Sequence, residues 1–346
     1  MEKSASIAFT NKQRIELVID MGGQPFYHLR PNKNIDRSLF LQTLIGLNRV
    51  FQMSEYQYIG FGSFLFDDFK AIHDTLNIRE MISLEIDPIE YKRAEYNLPY
   101  KCISVQNMSS TDYLAGLLLK DTDHSIFWLD FVSPKELGLQ LADFTSLLEK
   151  LNPGDIIRIT LNAKPDCLEL IKGDRQDNAQ RLATLRSRVR EEYLPPVLSE
   201  DHVSTKMYPL TLLEILKTAA MRALVDDPPD RANFLFPLFS CVYADGQQML
   251  TFTGIVLDSH DMEEEIRTAL THFPHNTFLW DNPCHIEIPA LTVREITELN
   301  KLLPNPDVRE EILHEFPFIF NRSDPNVLNS YVSYYKYYPK FHQINL

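Results

Sequence analysis

Glycines and acids follow short apolar runs in the first half of this 346-residue chain. Gly60 and Gly62 end the run at residues 58–63, and Glu85 closes the apolar part of the run at residues 81–88. Glycines let a ligand approach the backbone near a helix N-terminus, and an acid at the end of the next run can accept hydrogen bonds from both ribose hydroxyls. A plain strand-to-helix turn and a helix-capping acid would explain the same residues. Their order favours a site for a ligand that carries a ribose.

Three further apolar runs continue the series, at residues 102–110, 126–134 and 151–162. Their ends carry the residues that could meet a ligand, namely Asn107, Met108, Ser109, Asp130 and Asn162. Apolar runs separated by helix-prone stretches are typical of buried parallel strands in an α/β sheet. Such sheets bind ligands at the carboxyl ends of their strands. We therefore expect these residues along one edge of a mostly parallel sheet.

The bulk composition narrows the class of protein. A net charge of −14 and a pI near 5.2 argue against nonspecific binding of nucleic acid, because such binding needs a concentrated basic surface. The four cysteines form no CxxC pair, so no zinc site is indicated, and a reducing compartment fits. The N-terminus lacks an apolar signal core, and no apolar stretch approaches the roughly 20 residues that span a bilayer. The sequence predicts a cytoplasmic protein without a membrane segment.

The pattern divides the chain into three parts. Residues 1–53 form a lead-in with a possible strand at residues 15–19 and an amphipathic helix from Ile35 onward. Residues 54–257 form the α/β domain, with a charged, helix-prone insertion at about 170–228 and a terminal antiparallel hairpin whose tight turn is Asp245-Gly246. Residues 258–346 form a helical, tyrosine-rich extension, whose tyrosines we expect to pack mainly on the domain.

Two segments carry a family resemblance, SLEIDPIEYKRAEYN at residues 83–97 and LLEKLNPGDIIRITLN at residues 147–162. They resemble the second-strand and fifth-strand segments of the class I S-adenosylmethionine-dependent methyltransferases. The resemblance covers about residues 47–162, with the hairpin at 234–257. It implies a Rossmann-like, doubly wound sheet with a terminal antiparallel hairpin, and S-adenosyl-L-methionine as the cofactor.

The resemblance also implies roles for individual residues. Gly60, Phe61, Gly62 and Ser63 would line the methionine and ribose portion of the cofactor. Glu85 and Ile86 would bind the ribose, and Asn107, Met108 and Ser109 would lie beside the adenine. Asp130 would lie beside the transferred methyl group, as a cofactor contact and as the catalytic base or proton acceptor. The chain departs from the family pattern at Tyr58, where an acid is usual, and at Phe64, where a third glycine is common.

The methyl acceptor is less defined. Phe131 and Val132 replace the two prolines of the motif of amino methyltransferases, so methylation of a base or amide nitrogen is not indicated. Magnesium is a candidate that is not favoured, because Leu161 precedes Asn162 where a second acid would be expected. The basic cluster of Arg30, Lys33 and Arg37, with Asn162, is a candidate substrate site. A cluster of this kind also fits a solvated helix start or a segment that closes over the cofactor.

The sequence therefore predicts a methyltransferase that acts on an oxygen or nitrogen nucleophile of a small molecule or protein. The alternative is a noncatalytic binding or regulatory module that contacts a protein partner through its insertion and C-terminal extension. A third candidate, an enzyme that modifies nucleic acid, requires the basic residues of 175–190 to gather on the active-site side.

Overall fold

The computed structural model describes residues 30–120, 123–131, 133–169, 177–224, 233–305 and 307–339. The strand expected at residues 15–19 lies outside these ranges. None of the helices within them is long and apolar enough to cross a membrane.

One mixed sheet forms the centre of the protein. Its parallel strands are β1 (Gln57–Gly60), β2 (Glu80–Leu84), β3 (Ile103–Gln106), β4 (Ser125–Asp130) and β5 (Ile156–Asn162). The remaining strands are β6 (Phe234–Ala244), β7 (Gln248–Leu257) and the short β8 (Cys284–Ile286). The spatial order is β3-β2-β1-β4-β5-β7-β6-β8, with β7 antiparallel to β5 and to β6. This order confirms the predicted doubly wound sheet with an antiparallel hairpin.

Helices cover both faces of this sheet. In chain order the helices are α1 (Pro31–Leu47), α2 (Asp67–Leu76), α3 (Pro88–Tyr96), α4 (Ser110–Gly116), α5 (Leu137–Leu148), α6 (Asn178–Arg188), α7 (Tyr208–Leu224), α8 (Asp261–Ala269), α9 (Val293–Leu302), α10 (Val308–Glu315) and α11 (Pro325–Tyr334). Residues of β1 alternate between the two faces, because Tyr58 packs with α1 and α2 whereas Ile59 packs with α5 and α7.

Helix α1 begins one turn earlier than the sequence pattern indicates. We expected the helix from Ile35, but it starts at Pro31. Proline is well suited to the first turn of a helix, because its fixed backbone angle is helical and its missing N–H would have no partner there. Lys33 consequently lies on the same helix as Arg37, one turn before it.

The C-terminal helices pack on the same face of the sheet as α1. Leu299 of α9, Ile312 of α10 and Leu328 of α11 are buried in one cluster with Ile35 and Leu39 of α1. Two tyrosines of the C-terminal segment, Tyr331 and Tyr338, are also buried in this cluster. The C-terminal helices therefore support α1.

Candidate functional site

The turn after β1 is built around Gly62. Its N–H donates to the hydroxyl of Ser83 in β2 at 3.0 Å. A Cβ at Gly62 would lie 2.8 Å from ring atoms of Phe66 and Phe69, closer than van der Waals contact allows. Ser63 and Phe66 both have positive φ angles, of 48° and 52°. Close packing therefore requires glycine here, and the strained turn carries the backbone from β1 into α2.

The loop after β2 carries the predicted ribose acid. Glu85 is half-buried, and its Oε1 accepts the N–H of Asp87 at 3.0 Å. Burial raises the pKa of Glu85, although hydrogen bonds from the backbone of Asp87 and Ile86 act in the opposite direction. Ile86 is exposed. The strand order places Glu85 next to the turn at Gly60 and Gly62, since β1 and β2 are parallel neighbours.

The loop after β3 has mainly supporting contacts. The side-chain amide of Asn107 donates to the carbonyl oxygens of Glu85, at 2.8 Å, and Ile86, at 3.2 Å. Ser109 caps α4, because its hydroxyl oxygen accepts the N–H of Asp112 at 3.0 Å. Met108 is partly buried against the apolar cluster on one face of the sheet. Asn107 thus joins the ends of β2 and β3 and holds the loop of Glu85 in place.

Asp130 ends β4 and meets α1. Its Oδ2 lies 3.3 Å from the ammonium nitrogen of Lys33, and the two side chains are only 16% and 13% exposed. Burial alone would raise the pKa of Asp130, but the charges of Lys33 and Arg37 and a hydrogen bond with Thr160 outweigh burial and lower the pKa. Asp130 is therefore ionised at neutral pH, at the end of the strand beside β1.

A second ion pair lies beside the first. Arg37 Nε is 2.8 Å from Asp68 Oδ1, near the start of α2. Burial raises the pKa of Asp68, against the opposing charges of Arg37 and Lys33. These two side chains line a cavity of about 180 Å³ between α1 and α2, together with Phe40 and Trp128. Asp130, Lys33, Arg37 and Asp68 therefore form one buried group of charges at the carboxyl edge of the sheet.

The other predicted substrate residues lie near this group. Asn162 ends β5, and its Oδ1 accepts the N–H of Lys164 at 3.1 Å. Arg30 directly precedes α1 and is half-buried. The described residues contain no group of three or more histidines, cysteines or acids that could hold a metal ion.

Sequence reasoning missed the contacts that hold α1 on the sheet. Arg158 of β5 and Asp36 of α1 are both fully buried and form an ion pair, 2.5 Å apart. The hydroxyl of Thr251 donates to Asp36 at 2.7 Å, and Arg158 donates to the hydroxyl of Thr253 at 2.7 Å. The available signal was an arginine in the middle of an otherwise apolar strand.

Known proteins provide an independent comparison. No curated protein matches this chain in sequence. A "putative transferase" from Pyrococcus horikoshii is similar in structure, with 14% identity, a TM-score of 0.33, and coverage of 60% of this chain and 59% of that one. The chain thus spans less than two thirds of that protein.

Two further solved structures are similar over most of their own length. The N-methyltransferase NodS from Bradyrhizobium japonicum WM9, solved with S-adenosyl-L-homocysteine, has 12% identity, a TM-score of 0.37, and coverage of 64% of this chain and 87% of that one. A "putative O-methyltransferase" from Klebsiella pneumoniae has 13% identity, a TM-score of 0.35, and coverage of 70% and 96%.

The family assignment rests on a sequence match. Residues 25–346 match the family described as "Putative O-methyltransferase". The matched range includes the glycine turn, Glu85, Asp130 and all of α1. The predicted membership of a methyltransferase family is confirmed by this match. Because the match spans more than half of the chain, this protein belongs to that family.

Proposed function

We propose that this protein transfers the methyl group of S-adenosyl-L-methionine to an oxygen nucleophile of a small molecule, with Asp130 accepting or orienting the proton of that nucleophile. The observation that carries the proposal is the buried, ionised carboxylate of Asp130 at the end of β4, beside the turn that follows β1. The description of the matched family supports oxygen as the acceptor atom.

For methyl transfer, the protein mainly has to align the acceptor oxygen with the methyl carbon of the cofactor. Methyl transfer from a sulfonium is an in-line displacement, in which the acceptor oxygen forms a bond to the methyl carbon as the carbon–sulfur bond breaks. Asp130 is a hydrogen-bond acceptor at neutral pH, so it can orient an acceptor hydroxyl and take its proton as the bond forms. The products are the methyl ether of the acceptor and S-adenosylhomocysteine, and the proton of the hydroxyl passes to Asp130.

The cofactor would extend from the turn after β1 to the loops after β2 and β3. Glu85 would accept the ribose hydroxyls, because its half-buried carboxylate follows β2 beside the turn at Gly60 and Gly62. Phe61, Leu84 and Tyr113 line a narrow apolar slot of about 10 Å³ beside the turn, and this slot would have to widen to admit an adenine ring. Asn107 and Ser109 would act by holding the loops that border this slot.

The charges around the acceptor position favour a neutral acceptor. Lys33 and Arg37 are paired with Asp130 and Asp68, so the group contains two acids and two bases. A strongly anionic substrate would have to break one of these pairs in a buried site, which is costly. Lys33 and Arg37 would therefore meet the acceptor as members of ion pairs, with Arg30 and Asn162 at the rim.

The competing functions have less support. Tyr331 and Tyr338 of the extension are buried in the core, so they are not part of a partner surface. Arg181 of the insertion pairs with Asp166 and Glu169, so this basic residue is engaged within the protein. A protein partner at other parts of the extension stays a proposal, as does the cytoplasmic location.

Two measurements test the proposed function. Calorimetric titration with S-adenosylmethionine and S-adenosylhomocysteine should give saturable binding of both. Cofactor labelled in its methyl group, incubated with separate small-molecule and protein fractions of a cell extract, should label the small-molecule fraction, and the label should survive mild base, as a methyl ether does. Release of the label by mild base would identify a methyl ester and contradict a neutral acceptor. Binding of the cofactor without methyl transfer to either fraction would favour a noncatalytic module. Label in the protein fraction would show that the methyl acceptor is a protein and not a small molecule.

A further inference from the structure

Helix α1 takes its N-terminal cap from a distant part of the chain. The side chain of Arg30, at the N-cap position, makes no capping hydrogen bond, and the first turn contains no acid. Asp245, at the tip of the β6–β7 hairpin, accepts the N–H of Lys33 at 2.8 Å through Oδ2. Its Oδ1 accepts the N–H of Asn32 at 3.3 Å and the side-chain amide of Asn32 at 3.0 Å. An acid at this position satisfies N–H groups that the helix leaves without partners and complements the helix dipole.

The capped residue is also the one that reaches Asp130. Lys33 receives the contact from Asp245 at its backbone N–H and extends its ammonium group to within 3.3 Å of Asp130. One residue therefore links the hairpin tip to the carboxylate at the end of β4.

The hairpin tip is fixed to the edge of the sheet. The N–H of Ala163, just after β5, donates to the carbonyl oxygen of Gln248 at 2.9 Å. The side-chain amide of Gln248 donates to the carbonyl oxygens of Ala163, at 3.0 Å, and Thr205, at 3.2 Å. The tip is thus held by the end of β5 and by the segment that leads into α7.

We propose that Asp245 is a positioning residue for methyl transfer: it fixes the first turn of α1 and thereby holds the ammonium group of Lys33 against Asp130. The proposal rests on the proposed role of Asp130. It goes beyond that role, because it assigns a function to the tip of the hairpin, which reaches the site through the first turn of α1.

The groups that set the protonation of Asp130 come from several elements. The charged and titratable groups around it are Lys33 and Arg37 of α1, Asp68 of α2, Tyr58 of β1 and Tyr243 of β6. Of these, Lys33 is the cation whose contact with Asp130 depends most directly on the cap. Without Asp245, the N–H groups of Asn32 and Lys33 lose this acceptor, Lys33 is held less firmly against Asp130, and Asp130 becomes easier to protonate.

The test compares Asp245→Ala with Asp177→Ala. Asp177 also caps a helix, accepting the N–H of Gln180 at 2.9 Å at the start of α6, so its loss controls for removal of a capping acid. With labelled cofactor, we expect Asp245→Ala to lower kcat about tenfold and to move the acid limb of the kcat–pH profile up by about one pH unit, with the cofactor KM unchanged. Asp177→Ala should leave the profile unchanged.

A double variant isolates the path through Lys33. In a Lys33→Met background, Asp245→Ala should have no further effect on kcat or on the acid limb, because the cation that it positions is gone. Asp245→Asn keeps one acceptor oxygen and should recover part of the rate. Equal effects of Asp245→Ala and Asp177→Ala, or full additivity with Lys33→Met, would overturn the proposal.

A measurement without turnover separates this proposal from the proposed function. The difference in unfolding free energy between the protein and its Asp130→Asn variant, followed against pH, reports the pKa of Asp130. This pKa should rise when Asp245→Ala is added and stay constant when Asp177→Ala is added. If the protein shows no methyl transfer, the proposed function fails, and this pH dependence still decides whether Asp245 positions Lys33.

Discussion

The two halves of the candidate site are built in different ways. The cofactor half, at the ends of β1 to β3, depends on backbone turns and on side chains close in sequence, and Glu85 in it is only half-buried. The acceptor half, at the ends of β4 and β5, depends on buried charges joined across the chain, such as Asp36 with Arg158. Local turns can keep a cofactor site open to solvent, whereas a buried charged site needs a separate element that covers it.

Helix α1 is that separate element, and its contacts favour a specific position over a large gain in stability. A buried ion pair loses hydration on both sides, so its net contribution is small compared with the cost of removing one partner. Charges therefore define where α1 lies, and the apolar side chains Ile35, Leu39 and Leu44 provide the burial that keeps it there.

The largest expected effect is on the stability of the acceptor half. Asp36→Ala should lower the free energy of unfolding by about 3 to 5 kcal/mol, because it leaves Arg158 charged and unpaired in the core. The double variant Asp36→Leu/Arg158→Met should recover most of this loss. Urea unfolding of the three proteins provides the measurement. If Asp36→Ala lowers the free energy of unfolding by less than about 1 kcal/mol, the acceptor half does not depend on this buried ion pair, and the contrast between the two halves fails.

The second effect is a loss of stability in acid that originates at the other end of α1. His275 lies 2.9 Å from the hydroxyl of Thr43 in α1, and burial lowers its pKa to about 4. The unfolded chain takes up this proton near pH 6.5, so the stabilisation by neutral His275 is complete above pH 6.5 and is lost as the pH falls to 4. The full loss is about 3 kcal/mol.

This effect can be measured by urea unfolding at several pH values. His275→Gln should flatten the pH dependence of the unfolding free energy between pH 6.5 and 4. His314→Gln, at an exposed position of α10, should leave this pH dependence unchanged. A parallel decline in the His275→Gln protein would show that other groups cause the loss.

The third effect concerns catalysis in the acceptor half. Asp130→Asn keeps the shape of the side chain and removes its charge, so methyl transfer should fall about 100-fold while cofactor affinity changes little. Asp68→Asn makes the same chemical change in the neighbouring ion pair and should cost less, because Asp68 belongs to α2 and pairs with Arg37. Single-turnover rates with labelled cofactor compare the two. Equal losses of methyl-transfer rate in the two variants would mean that the whole group of charges, and not Asp130 alone, supports methyl transfer.

The sequence predicted the strands of both halves better than the contacts that hold α1, for a physical reason. Strands and the turns that follow them leave periodic, local patterns, so the residues at or just after the ends of β1 to β5 were predicted. Asp245 was predicted only as a turn residue, although it caps α1 more than 200 residues away. The pair of Asp36 and Arg158 and the three-residue strand β8 were missed, since neither a single buried charge nor so short a strand has a period.

The smallest effect belongs to the cofactor half and depends on Glu85. Glu85→Ala should weaken binding of S-adenosylmethionine by about 1 to 3 kcal/mol, the cost of losing hydrogen bonds to a charged acceptor.

The matched control is Glu80→Ala, at the exposed opposite end of β2, which should leave cofactor affinity unchanged. Both variants should unfold at the same urea concentration as the parent protein, because neither side chain is in the core. Burial raises the pKa of Glu85, so affinity in the parent protein should also decline on mild acidification, and this decline should vanish in Glu85→Ala. Calorimetric titration at two pH values measures both, and equal affinities of the Glu85 and Glu80 variants would place the ribose elsewhere.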